Sequence, residues 1–137
     1  MRFKKTLCCL VLVVPLLALF GCTENALPEE VTKDGTHLEI LLEENPTTGY
    51  SWTMDDYDTS ILKLEKDEYS ASTTEGTVGS GGTLLYRFTG QKEGKITLTF
   101  RYYRNWEDKD TAIEVRDYSI TVADDGMIQS VDVTSKE

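Results

Sequence analysis

Lys95-Ile96-Thr97-Leu98-Thr99-Phe100-Arg101-Tyr102 sends every apolar side chain to one side and every polar one to the other. Side chains that alternate with a period of two belong to a β-strand, and alternation this strict marks a strand with one buried face. Upstream of a Gly90-to-Gly94 turn, Leu84, Tyr86 and Phe88 repeat the pattern, as do Leu38, Ile40 and Leu42, then Tyr50, Trp52 and Met54, then Leu62 and Leu64. Downstream, Ile113 and Val115 are followed by Tyr118, Ile120 and Val122, and the step of three predicts a bulge near Arg116-Asp117. No segment carries a 3.6-residue period, and no internal repeat is present. Six or seven short strands within about 90 residues predict an all-β fold, an Ig-like antiparallel β-sandwich. The Cys-Trp-Cys signature of antibody domains is missing, which leaves Trp52 as the candidate core tryptophan.

The N-terminus reads differently. Arg2, Lys4 and Lys5 precede an apolar run from Leu7 to Phe20 that is too short to span a bilayer comfortably, so residues 1–21 are expected to be a secretory signal peptide. Leu19-Phe20-Gly21-Cys22 resembles the lipobox of prokaryotic lipoproteins. That resemblance implies lipidation of Cys22, export, and a lipid anchor in the cell envelope, in the outer membrane of a Gram-negative host because Thr23 follows the cysteine. Residues 22–34, polar and proline-containing, then read as a tether, 35–123 as the domain, and 124–137 as a weakly patterned tail expected to fray. Cys8 and Cys9 leave with the signal, so the remaining chain of about 116 residues must hold itself together by its core, as one monomeric domain.

Composition excludes several functions. Loss of the three basic residues of the leader leaves 11 basic side chains against 24 acidic ones, a formal charge of about −13, which disfavours nucleic acid and anionic lipid as partners. His37 is the only histidine and has no nucleophile motif near it, so the chain is not expected to be an enzyme. Neither Cys or His pairs nor a calcium-loop spacing is present, so no metal or other cofactor is expected, and the acidic runs at 55–58 and 107–110 read as solvated charge.

The chemistry collects between strands. Asn45-Pro46-Thr47-Thr48-Gly49-Tyr50 is a stiff turn, with φ fixed at Pro46 and a positive φ permitted at Gly49, which displays Thr47 and Thr48 at its apex. Gly79-Ser80-Gly81-Gly82 has almost no side chains. It precedes a strand and no lysine, which argues against a phosphate cradle and for backbone laid close to a partner. Arg104-Asn105-Trp106 carries two residue types enriched at interface hot spots, although an isolated tryptophan more often folds back over a core. Loops of this kind on a β scaffold form a gripping surface.

Taken together and in this order, the three segments resemble the chagasin family of cysteine protease inhibitors, over roughly residues 36–123. The third motif departs from the family's Arg-Pro-Trp, with Asn105 in place of proline. The resemblance implies an Ig-like sandwich whose three loops at one end clamp the active-site cleft of papain-type proteases. Thr47 and Thr48 would lie over the catalytic cysteine, and the Gly79–Gly82 and Arg104–Trp106 loops on either side of the cleft. The alternative from another class is an Ig-like envelope lipoprotein with a non-protease partner, since a sandwich by itself specifies no function.

Overall fold

The computed structural model describes residues 26–72 and 81–137. These form eight strands: β1 (Val31–Asp34), β2 (His37–Glu44), β3 (Tyr50–Met54), β4 (Leu62–Ala71), β5 (Gly82–Gly90), β6 (Gly94–Arg104), β7 (Glu114–Val122) and β8 (Ile128–Lys136). They make two antiparallel sheets, in the orders β1-β2-β5-β4 and β3-β6-β7-β8. The all-β sandwich expected from the alternation is what forms. Apart from Ile113 and Val115, the alternating series place their apolar members on the faces that meet between the sheets. Leu38, Ile40 and Leu42 of β2, Phe88 of β5, Leu98 and Phe100 of β6 and Tyr118, Ile120 and Val122 of β7 are almost wholly inaccessible. Each such side chain contributes about 1.5–3 kcal/mol by leaving water, which suffices for a domain with no disulfide among the described residues. Phe100 lies edge-on to both Tyr118 and Tyr86, at 5.5 and 4.9 Å between ring centroids. Burial first of all pushes the hydroxyls of Tyr86 and Tyr118 up to about 12, so both stay neutral.

Three expectations need correction. The tether was expected to run to residue 34, but Val31–Asp34 pairs with β2, Val31 is buried, and Leu27 packs on the core. The tail at 124–137 contains β8, which pairs with β7 along its length and buries Ile128 and Val131. Its pattern looks weak because a register break opposite Thr121/Val122 puts Ile128 and Val131 three apart while both face inward. The bulge expected near Arg116-Asp117 is absent: β6 and β7 pair without a break from Gly94↔Val122 to Tyr102↔Glu114. The apparent change of parity arises because an arginine, Arg116, takes the inward position, with its guanidinium 5.0 Å from the Trp52 ring. Val115 falls on the opposite face of β7, and Ile113 precedes the strand and is exposed. The bulge in this fold lies on β4 instead, between Leu64 and Lys66.

Register brings the loops together. Glu44 at the end of β2 and Ala71 at the end of β4 both pair with Gly82 at the start of β5. In the other sheet Tyr50, which opens β3, pairs with Arg104, which closes β6, and Tyr102 pairs with Glu114 at the start of β7. The β2–β3, β4–β5 and β6–β7 connections therefore leave the sandwich at the same end.

A candidate site of three loops at one end of the sandwich

The β2–β3 loop is a single 3-10 turn, Pro46–Thr48, between Asn45 and Gly49. Proline suits the first turn because its missing N–H would have had no partner there, and asparagine caps it. The Asn45 Oδ1 accepts from the Thr47 N–H (3.2 Å) and from the Thr47 hydroxyl (2.5 Å). The Thr48 hydroxyl donates to the Asn45 carbonyl (2.7 Å) and accepts from the Tyr50 N–H (3.3 Å). Backbone bonds from Thr48 to Asn45 and from Gly49 to Pro46 close the turn. Both threonine hydroxyls thus bond back into the loop, while Pro46, Thr47 and Thr48 stay exposed. Gly49 has φ +84°, in the left-handed region that costs any other residue roughly 1–2 kcal/mol.

The other two loops rest on this one. The Trp106 indole lies across Gly49 so closely that a Cβ there would overlap its ring. Trp106 remains 68% exposed, so it is displayed at the loop end and does not cover the core. On the other flank, a Cβ on Gly81 would stand 2.6 Å from the Glu44 carbonyl and 3.4 Å from the Asn45 Cβ. Gly81 is therefore a place of close approach between two parts of this chain, and the part of the glycine segment that is described lies against its own neighbours. Gly82 belongs to β5. Gly79 and Ser80 lie outside the described residues, as does Cys22.

The third loop opens with a turn over Arg104-Asn105-Trp106-Glu107, closed by the Glu107 N–H on the Arg104 carbonyl (2.9 Å). A second 3-10 turn, Lys109–Thr111, follows, with the Asp108 side chain accepting from the Asp110 N–H (2.9 Å). The acidic run at 107–110 is therefore a folded turn. Arg104 is held on both sides: its guanidinium lies 4.6 Å from the centre of the Tyr50 ring and 3.6 Å from the Glu107 carboxylate. Tyr50 in turn stands 5.5 Å from Tyr102, and Tyr102 stacks on Trp52 at 5.0 Å. The Tyr102 hydroxyl accepts from the Asn45 N–H at 3.4 Å. The Trp52 indole N–H donates to the Glu43 carbonyl (2.9 Å), and its backbone N–H donates to the Glu44 carboxylate (3.0 Å). The stack thus fixes where the first loop leaves β2 and enters β3.

Glu44, Tyr102 and Arg116 support the site, and sequence reasoning assigned none of them a role. The signal for Glu44 was available: it continues the inward parity of Leu38, Ile40 and Leu42 with a charge, which is uncommon without a function or a partner.

The family model described as Chagasin family peptidase inhibitor I42 matches residues 31–122, from β1 through β7 with all three loops inside the match. Amoebiasin-1 of Entamoeba histolytica is 37% identical over 76 residues, covering 53% of this chain and 69% of that protein. Amoebiasin-2 of the same organism is 29% identical over 86 residues, covering 62% and 69%. The crystal structure of the cysteine protease inhibitor EhICP2 from Entamoeba histolytica superposes with a TM-score of 0.55 and 29% identity, over 62% of this chain and 77% of that one. Strand β8 lies beyond the family match.

The contact between Gly49 and Trp106 generates a prediction. Gly49→Ala combines left-handed strain with overlap on the indole and is expected to cost about 2 kcal/mol or more of stability. Trp106→Ala alone is expected to change stability by less than about 0.5 kcal/mol, and the double variant to recover part of the Gly49→Ala loss. Denaturant midpoints of the four proteins measure this. Strict additivity would mean that the two loops do not touch in solution.

Proposed function

The chain belongs to the chagasin family of peptidase inhibitors, and from that membership we propose that it is a reversible inhibitor of papain-type cysteine proteases that fills their active-site cleft with its three loops. The residues proposed to meet the protease are Asn45, Pro46, Thr47, Thr48, Gly49 and Tyr50 at the centre, Gly79, Ser80, Gly81 and Gly82 on one flank, and Arg104, Asn105 and Trp106 on the other. The observation that supports this best is the self-contained first loop. A protease cuts a peptide that lies extended across its nucleophile. A 3-10 turn whose hydroxyls and amides are bonded internally can occupy that position without presenting an aligned carbonyl. A surface ordered before docking also loses little entropy on binding. Nothing favours the alternative of an envelope protein with a non-protease partner over this reading.

We further propose that residues 1–21 are removed and that Cys22 carries the lipid, which would hold the inhibitor at the cell envelope, in the outer membrane of a Gram-negative host. A diacylated N-terminal cysteine in membrane-extracted protein, seen by mass spectrometry, is the expected result; an unmodified soluble product would contradict it.

Titration against papain is expected to give reversible, active-site-directed inhibition. Trp106→Ala should weaken it by about 2 kcal/mol or more, roughly thirtyfold, with the fold intact. Asn105 occupies the second position of the turn closed by Glu107, where proline's fixed φ is favoured. Asn105→Pro is therefore expected to remove about 0.4–1 kcal/mol of ordering cost and to tighten inhibition two- to fivefold, mainly through slower dissociation. Absence of any inhibition by the wild-type protein would overturn the proposal; weaker inhibition by folded Asn105→Pro would contradict the role given to the third loop.

A further inference from the structure

Between the first loop and the start of β5 lies a cleft of about 430 Å³, with Glu43, Glu44, Asn45, Gly81, Thr83 and Tyr102 in its wall. Its floor holds an unusual group. Glu44 is the one charged side chain that the fold buries among the described residues, at 9% exposure. One of its oxygens accepts the Trp52 N–H. Among the described residues no cation pairs with it, because the arginines are engaged elsewhere: Arg87 with Glu39, Arg101 with Asp55, Arg104 with Glu107, and Arg116 with Glu114 and Glu30. Lys63 and Lys66 pair with glutamates on their own strand. A carboxylate drawn out of water with a single protein hydrogen bond carries a desolvation cost that a counter-charge would offset. Glu43, its neighbour on β2, turns its side chain to the opposite, exposed face of the strand, so Glu44 is the carboxylate that the inner face offers, and Tyr102 adds a polar side chain to the wall.

We propose that this cleft is a subsite for a cationic side chain, an arginine or a lysine, and that Glu44 is the residue that selects it. The cleft opens at the same end of the sandwich as the three loops, so the cation would project from the partner seated on them. In that respect the proposal rests on the inhibitor reading, and it extends that reading to a class of target: a cysteine protease with a basic residue beside its active-site cleft, on the flank that faces Gly81 and the start of β5. A guanidinium has five donors in a planar fork and can serve the Glu44 carboxylate and the Tyr102 hydroxyl together. Docking would cover the mouth of the cleft and exclude water, which strengthens the pairing. A protease with a neutral or acidic residue at that place leaves Glu44 buried without a counter-charge and is discriminated against for that reason.

The two Trp52 N–H groups, which bond the Glu44 carboxylate and the Glu43 carbonyl, report on this cleft without any protease present. The probe is Nα-acetyl-arginine methylamide, compared with its uncharged citrulline analogue, titrated into ¹⁵N-labelled protein. The arginine compound is expected to shift both Trp52 signals saturably, the citrulline compound to leave them in place, and Glu44→Gln, which keeps an acceptor for the Trp52 N–H, to abolish the response. Equal shifts with the two compounds, no saturation, or an undiminished response in Glu44→Gln would overturn the proposal. If Glu44→Gln does not fold, the comparison of arginine with citrulline on the wild-type protein decides alone. Papain inhibition measured on the same sample separates the two readings: inhibition without arginine binding removes the subsite and leaves the inhibitor, and arginine binding without inhibition does the reverse.

Discussion

A column of rings and guanidinium groups on the inner face of the β3–β6–β7 sheet carries the order of the core out to the loops. It runs from Arg104 over Tyr50, through Tyr102 and Trp52, to Arg116. Its lower members stand on a conventional apolar core, where Phe100 and Tyr118 are wholly buried. Above Trp52 the sandwich is open to water, and aliphatic side chains would gain little there. Flat rings with a cation at each end can remain stacked while half exposed, since each ring-to-ring or cation-to-ring contact contributes about 0.5–1.5 kcal/mol beyond burial. The sheet thereby stays ordered up to the rung from which the first and third loops depart.

That order is what the loops require. The first loop satisfies its own hydrogen bonds, but its orientation is set by Tyr102, which accepts the Asn45 N–H, and by Glu44, which accepts the Trp52 N–H across the two sheets. The flanking loops add two close approaches, Trp106 on Gly49 and Gly81 on Glu44. In both, the absence of a Cβ lets one segment lie directly on another. Gly49 and Gly81 therefore act inside the protein, and among the described residues the turn of Pro46, Thr47 and Thr48 is presented outward beside the exposed indole.

The sandwich was legible because its central strands alternate strictly; Leu38 to Leu42 and Ile96 to Phe100 could face inward in only one register. What was less legible followed from residues that break the alternation for a reason. Arg116 occupies an inward position because it stacks on Trp52, and a hydrophobic count reads that as a bulge. Ile128 and Val131 of β8 both face the core across a register break, and the same count reads that as a frayed tail. The three loop motifs stood out in the sequence by their composition, and pairing puts them at one end. Their contacts with one another could not be read, since neither the approach of Trp106 to Gly49 nor that of Gly81 to Glu44 follows from local sequence. Glu44 had a visible signal, a charge in line with apolar residues, whose meaning depends on the cleft above it.

The central claim is that the loop end is assembled before any partner arrives, and backbone ¹⁵N relaxation on the free protein tests it most directly. Order parameters at Thr47, Thr48, Gly49 and Trp106 near about 0.85, the level of the strands, are the predicted result. Values below about 0.6 at these positions, with the strands rigid, would show that the stack does not reach the loops and would contradict the account.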